Sequence, residues 1–142
     1  MERKIVHVVG TGTIGEPLIG ILCEQKSNLG IDEVTFHKQS PLTKDAPKIK
    51  NLIAKGARLA VHEERVESFK EIGLEPEFTM EEAVSRSSVV IDCTPKGFGH
   101  KNKLDYYEKY ADKVKGFLAQ GSEDCFGKKY ARGINDHVIN SE

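Results

Sequence analysis

The stretch VVGTGTIGEPLIGIL, residues 8–22, stands near the start of the chain. Three glycines, Gly10, Gly12 and Gly15, follow one apolar run and precede another with helical spacing. G-x-G-x-x-G alone is common and often marks nothing more than a tight turn. Here the demanding context is met, with a strand before it, a helix after it and a further strand beyond the helix. In such a unit Gly10 makes the turn and Gly12 lets the backbone approach a pyrophosphate, while Gly15 lets the helix lie close on the strand. Unpaired N–H groups at the helix start, around Thr13 and Ile14, then face negative charge and are reinforced by the helix dipole. The pattern predicts a dinucleotide site.

Outward from this turn the chain alternates between strand and helix patterns. RKIVHVVG is a buried strand ending in glycine, and the helix after it carries apolar Leu18, Ile19, Ile21 and Leu22. DEVTFHK is a second strand, rich in β-branched and aromatic residues. DAPKIKNLIAKG reads as a short helix stopping at Gly56, with Pro47 tolerable in its first turn. ARLAVH is a third strand, EERVESFKEIG a helix ending at glycine, and EFT a short strand. MEEAVSRS is a short helix introduced by Thr79, whose spacing to Glu82 fits a capping box. SVVIDCT and VKGFLAQG are buried strands flanking a helical NKLDYYEKYA, and KYARGIN is a last candidate strand. The alternation predicts a single α/β domain of the Rossmann type: a doubly wound, mostly parallel sheet with helices on both faces.

Bulk properties bound the partners. A chain of 142 residues fits one domain with a real core. Its net charge of −1 gives no electrostatic reason to expect nucleic acid or an anionic membrane. No apolar run approaches a bilayer span and no signal peptide precedes the first strand, which reads as cytoplasmic. The three cysteines, Cys23, Cys93 and Cys125, form neither a disulfide framework nor a CxxC pair. The five histidines show no ligand spacing, so no metal site is expected.

The end of the second strand bears on which dinucleotide binds. An NAD site usually places Asp or Glu there, for the ribose 2′-hydroxyl. The tip here reads FHKQS, residues 36–40, and the carboxylates Asp32 and Glu33 precede the strand instead. His37, Lys38 and Ser40 suit a 2′-phosphate better, through charge-assisted hydrogen bonds. The expected cofactor is therefore NADP or NAD, with NADP favoured; the competing reading of Lys38 is a solvated loop lysine.

At this point several segments resemble one family. VVGTGTIGEPL is similar to the NGYGTIGKRV turn that opens glyceraldehyde-3-phosphate dehydrogenases, especially the archaeal type. VVIDCTPKGFGHKNKLDYYEKY resembles that type's VVDATPGGVGAKNKELYEKAG, and KGFLAQGSED resembles KAIFQGGEKH. ERVESFKEIGLEPEFTMEEAV has the family's order of helix, short strand and helix. The resemblance implies that residues 1–142 form the NAD(P)-binding domain of an oxidoreductase of glycolysis. It implies that Thr13, Ile14 and Gly121 contact the cofactor, and that Thr94, Pro95 and Lys96 form the loop beside the ribose and nicotinamide. It also implies a mechanism for the entire enzyme, in which a cysteine-bound thiohemiacetal passes hydride to the nicotinamide.

Departures from the family are equally informative. The family's SCNTTG segment, with its nucleophilic cysteine, belongs to a second domain, and this chain ends at GINDHVINSE where that segment would be approaching. No catalytic residue is therefore expected in this chain, and the chain alone is expected to be inactive. Lys96 replaces a glycine, and QGSEDC replaces QGGEKH. None of the remaining residues supplies a substitute nucleophile. Cys23 lies on the apolar face of the first helix, Cys93 reads as packing, and Cys125 has no histidine near it in sequence. Alternatives from other classes are a stand-alone, non-enzymatic NAD(P) sensor, or a Rossmann domain of aspartate-semialdehyde or homoserine dehydrogenase type. A homo-oligomer is left open by the sequence.

Overall fold

The computed structural model describes residues 3–12, 15–93, 109–110 and 114–119. Six parallel strands are formed: β1 Ile5–Val9, β2 Glu33–His37, β3 Arg58–Val61, β4 Phe78–Thr79, β5 Val89–Asp92 and β6 Gly116–Ala119. The helices are α1 Gly15–Glu24, α2 Lys26–Leu29, α3 Ala46–Ala54, α4 Val66–Glu71 and α5 Met80–Arg86. Short 3₁₀ turns at Thr43–Asp45 and Glu63–Arg65 lead into α3 and α4. Strand order is β4-β3-β2-β1-β5-β6. The chain thus moves outward from β1 through β2, β3 and β4, then returns to β1's other side with β5. That reversal, between β1 and β5, is the topological switch point of a Rossmann-like doubly wound sheet.

Alternation along the strands separates two cores. Val8 and Ile91 join Ile19 and Leu22 of α1, Ile49 and Leu52 of α3 and Phe69 of α4 in the larger cluster. Their neighbours Val9 and Val90 point the other way, onto Met80 and Val84 of α5. Helices therefore cover both faces, as the strand–helix alternation predicted. The capping box is present: the Glu82 N–H donates to Thr79 Oγ1 and the Thr79 N–H to Glu82 Oε1. Gly56 and Gly73, with φ of 109° and 83°, end α3 and α4 in the left-handed region. Ile21 of α1 points away from the core and is 55% exposed, and the chain after α1 forms the four-residue α2. The helix NKLDYYEKYA and the strand KYARGIN lie largely or wholly outside the described residues. Among the described residues no helix is long and apolar enough to cross a membrane.

The face of β1 and β2 turned toward α5 is polar. Register pairs Ile5 with Glu33, His7 with Thr35 and Val9 with His37. Glu33 is 3% exposed and lies between Arg86, 2.7 Å away, and Arg58, 2.9 Å away. Arg58 also reaches Glu77, and Arg86 lies 4.1 Å over the Phe78 ring, so these charges tie β2 to the edge strand and to α5. His7 is fully buried, its Nδ1 2.6 Å from Thr35 Oγ1, and burial pushes its pKa down to about 3. Unfolded, the same imidazole titrates near pH 6.5, so between these values the unfolded chain binds more protons. Folding stability is therefore expected to be insensitive to His7 above about pH 6.5 and to fall below it, by up to about 1.4 kcal/mol per pH unit. Urea unfolding at pH 7, 6 and 5 checks this: His7→Phe should lose stability less steeply than the unchanged chain. Equal slopes would mean that the folded imidazole takes the proton freely.

Candidate functional site

The switch point brings together the end of β1, the start of α1 and the end of β5. Gly10 has φ of 103°, and its N–H donates to the His37 carbonyl at 3.1 Å, tying the turn to the end of β2. Gly15 opens α1 against the turn. A Cβ there would stand 2.1 Å from the Gly10 carbonyl oxygen and 3.4 Å from Cys93 Cβ. No side chain fits at Gly15, and Gly10 holds a left-handed φ, so packing calls for one glycine and backbone conformation for the other. Gly12 differs. Its φ lies outside the left-handed region, and no described residue stands within 4 Å of where its Cβ would be. Among the described residues, neither conformation nor packing calls for glycine at that position. Hydrogen bonding of α1 begins with the Glu16 N–H on the Gly12 carbonyl, at 3.2 Å, so the helix turns its open, positive end toward this position.

The end of β2 holds more charge than FHKQS shows by itself. Lys38 is not a free loop lysine: Nζ lies 3.0 Å from Asp45 Oδ2, with both side chains largely shielded. The hydrogen bond from Lys38 and the charges of Lys38, Lys48 and Lys44 hold the Asp45 carboxyl below its usual range. Arg65, from the turn after β3, donates to the Gln39 carbonyl at 2.9 Å. His37 is 4% exposed, edge-on to His62 at 4.7 Å between ring centroids. Burial first, then the neighbouring histidines and cations, lowers its pKa well below the usual value. A neutral, buried ring offers shape and not positive charge to an anion, and Lys38 and Arg65 bring the positive charge to this tip.

At the turn itself, Lys48 of α3 donates from Nζ to the Thr11 carbonyl at 2.9 Å and lies 3.5 Å from Glu16. Sequence reading did not find Asp45, Arg65 or Lys48, because each reaches the site from an element with no motif of its own. An acid opening the helix after β2 is the one signal that would have pointed to Asp45. Cys93, at the carboxyl end of β5, is half-buried against the larger core. Burial and the adjacent Asp92 push its thiol up to about 11, which leaves it protonated and poor as a nucleophile. Cys23 also packs against that core. Thr13, Ile14, Thr94, Pro95, Lys96, Gly121 and Cys125 lie outside the described residues.

Comparison with known proteins agrees with the resemblance read from the motifs. A glyceraldehyde-3-phosphate dehydrogenase of Pyrobaculum arsenaticum is 34% identical, over 84% of this chain and 32% of its own length. That of Methanobacterium bryantii is 32% identical, over 93% of this chain and 41% of its own. That of Methanopyrus kandleri is 42% identical over 49% of this chain and 21% of its own. The chain resembles the N-terminal domain of archaeal glyceraldehyde-3-phosphate dehydrogenases, and it spans about a third to two-fifths of the length of most of the curated relatives it matches. No family profile matches it. The universal stress protein from Archaeoglobus fulgidus in complex with dAMP superposes with a TM-score of 0.36 at 14% identity, over 82% of this chain and 96% of that one, too weakly to carry an argument.

The glycines divide into two kinds that substitution separates. Gly15→Ala drives a Cβ into the Gly10 backbone and is expected to cost about 3 kcal/mol or more in urea unfolding. Gly12→Ala should change stability by less than about 1 kcal/mol, yet weaken any ligand of the turn. A Gly12→Ala chain as unstable as Gly15→Ala would show that both glycines serve packing alone.

Proposed function

We propose that the chain, residues 1–142, is the NAD(P)-binding domain of a phosphorylating glyceraldehyde-3-phosphate dehydrogenase-like oxidoreductase of the cytoplasm. The observation that carries this reading is the clearance at Gly12 among the described residues, beside the open end of α1, in a turn where packing accounts for Gly15 and backbone conformation for Gly10. Such a site suits a pyrophosphate, which needs backbone N–H groups and room for close approach. The residues described fit a nicotinamide dinucleotide: Gly10, Gly12 and Gly15 shape the turn, and the end of β2 receives the adenosine ribose. Thr13, Ile14, Thr94, Pro95 and Gly121 are assigned to the cofactor by the resemblance alone. The bound dinucleotide supplies hydride acceptance, and this chain's part is to bind and orient it. No catalytic group is assigned within residues 1–142. The nucleophilic cysteine implied by the resemblance belongs to a second domain, so this chain by itself should bind cofactor without oxidising an aldehyde.

Lys38 and Arg65 favour NADP, since both bring positive charge to the ribose end of the site. Asp45 supports a second reading. It sets a carboxylate beside the β2 tip, where the acid of an NAD site would accept from the 2′-hydroxyl. Calorimetric titration with NADP and NAD in parallel separates the two. Tighter NADP binding that weakens by about tenfold in Lys38→Glu, with NAD affected less, supports the 2′-phosphate role. Asp45→Asn should then tighten NADP by freeing Lys38. If NAD binds better and Asp45→Asn weakens it, Asp45 is the ribose acceptor. Failure of both at millimolar concentration would overturn the binding function itself.

A further inference from the structure

Lys48 stands where neither the strand tip nor the glycine turn would have placed a cation. It belongs to α3, the helix between β2 and β3, on the same face of the sheet as α1. From there Nζ reaches back to the carbonyl of Thr11, the residue between the first two glycines, at 2.9 Å. The carboxylate of Glu16, in the first turn of α1, is 3.5 Å away. Lys48 also acts electrostatically on Asp45, which pairs with Lys38 at the β2 tip. Its side chain keeps 29% of its exposure and stands at the lip of the turn, not in the core. A backbone carbonyl and a half-exposed carboxylate are weak reasons to hold an ammonium group here, because water serves a surface lysine as well. Thr11 adjoins Gly12, so the same ammonium is held one residue along the chain from the position where a Cβ would meet no described residue within 4 Å.

We propose that Lys48 is a phosphate-binding residue of the dinucleotide site, leaving Thr11 and Glu16 to contact a phosphate oxygen when ligand enters. The inference rests on the dinucleotide reading above and adds to it a side-chain cation for a site otherwise built from backbone. A lysine suits the task as a compact point charge on a flexible stem, able to follow a phosphate without fixed geometry. Glu16 acts against the ligand. Its carboxylate lies 3.5 Å from Lys48 Nζ, and this pairing competes with the phosphate.

Titration of the 142-residue chain with NADH by fluorescence, and with ADP and adenosine by ligand-observed NMR, tests this. Lys48→Met should weaken NADH and ADP by about tenfold while leaving adenosine, which has no phosphate, within about twofold. Lys48→Arg should retain most of the affinity, and Glu16→Gln should tighten NADH by about threefold. NADH binding unchanged in Lys48→Met would overturn the assignment of Lys48 and leave the dinucleotide reading standing. Equal weakening of adenosine and ADP would also overturn it, by making Lys48 a strut for the turn. If the unsubstituted chain binds neither NADH nor ADP at millimolar concentration, the dinucleotide reading falls and the role of Lys48 falls with it.

Discussion

The contact between Gly15 and the Gly10 carbonyl is the constraint on which the site depends. A helix start is pressed onto a strand end so closely that a methyl group would overlap the backbone. Cys93 would meet the same Cβ from the end of β5, so the glycine turn and a segment far from it in the chain converge at the reversal of strand order. Moving α1 outward by the width of one Cβ would open the space beneath the turn. It would also shift Ile19 and Leu22 out of the larger core and turn the helix end away from Gly12. Closeness here gives the helix its direction. The direction makes its open end useful to an anion, because the favourable field of a helix terminus is felt only within about one turn.

Local charge at this end of the sheet bears little relation to the net charge of the chain. With a balance of −1 the protein as a whole has almost no field to steer a ligand. Yet Lys38, Lys44 and Lys48 gather about Asp45, and Arg65 joins from the turn after β3. Asp45 among these cations, with Glu16 beside Lys48, partly neutralises them. The opposite end of the sheet uses charge differently. There Glu33 is buried between Arg58 and Arg86 with little room for exchange, which makes it a structural tie.

Legibility in the sequence followed the range of the interactions. The strands of the doubly wound sheet, the Thr79–Glu82 capping box and the glycine helix stops could be read because each is fixed by residues a few positions apart. Apolar character alone does not place Ile21, which α1 turns to solvent while Ile19 and Leu22 enter the core. The four-residue α2 carries too few residues to show a period. His37 was legible as a residue at a strand tip but not as a buried one. Its exposure depends on His62, which arrives on a different strand end.

The same division runs through the site. Its backbone component could be read directly, since a glycine turn between strand and helix performs its function where it stands in the sequence. Its side-chain component could not. Lys48, Asp45 and Arg65 lie in segments whose local patterns specify only helix starts and helix faces. They become neighbours of the turn because parallel strands bring successive helix entrances to one edge of the sheet. Every βα connection in such a sheet delivers its first residues to the carboxyl ends of the strands. The cations of a dinucleotide site are therefore best sought there, at the entrances of the helices after β2 and β3, and not beside the glycines themselves.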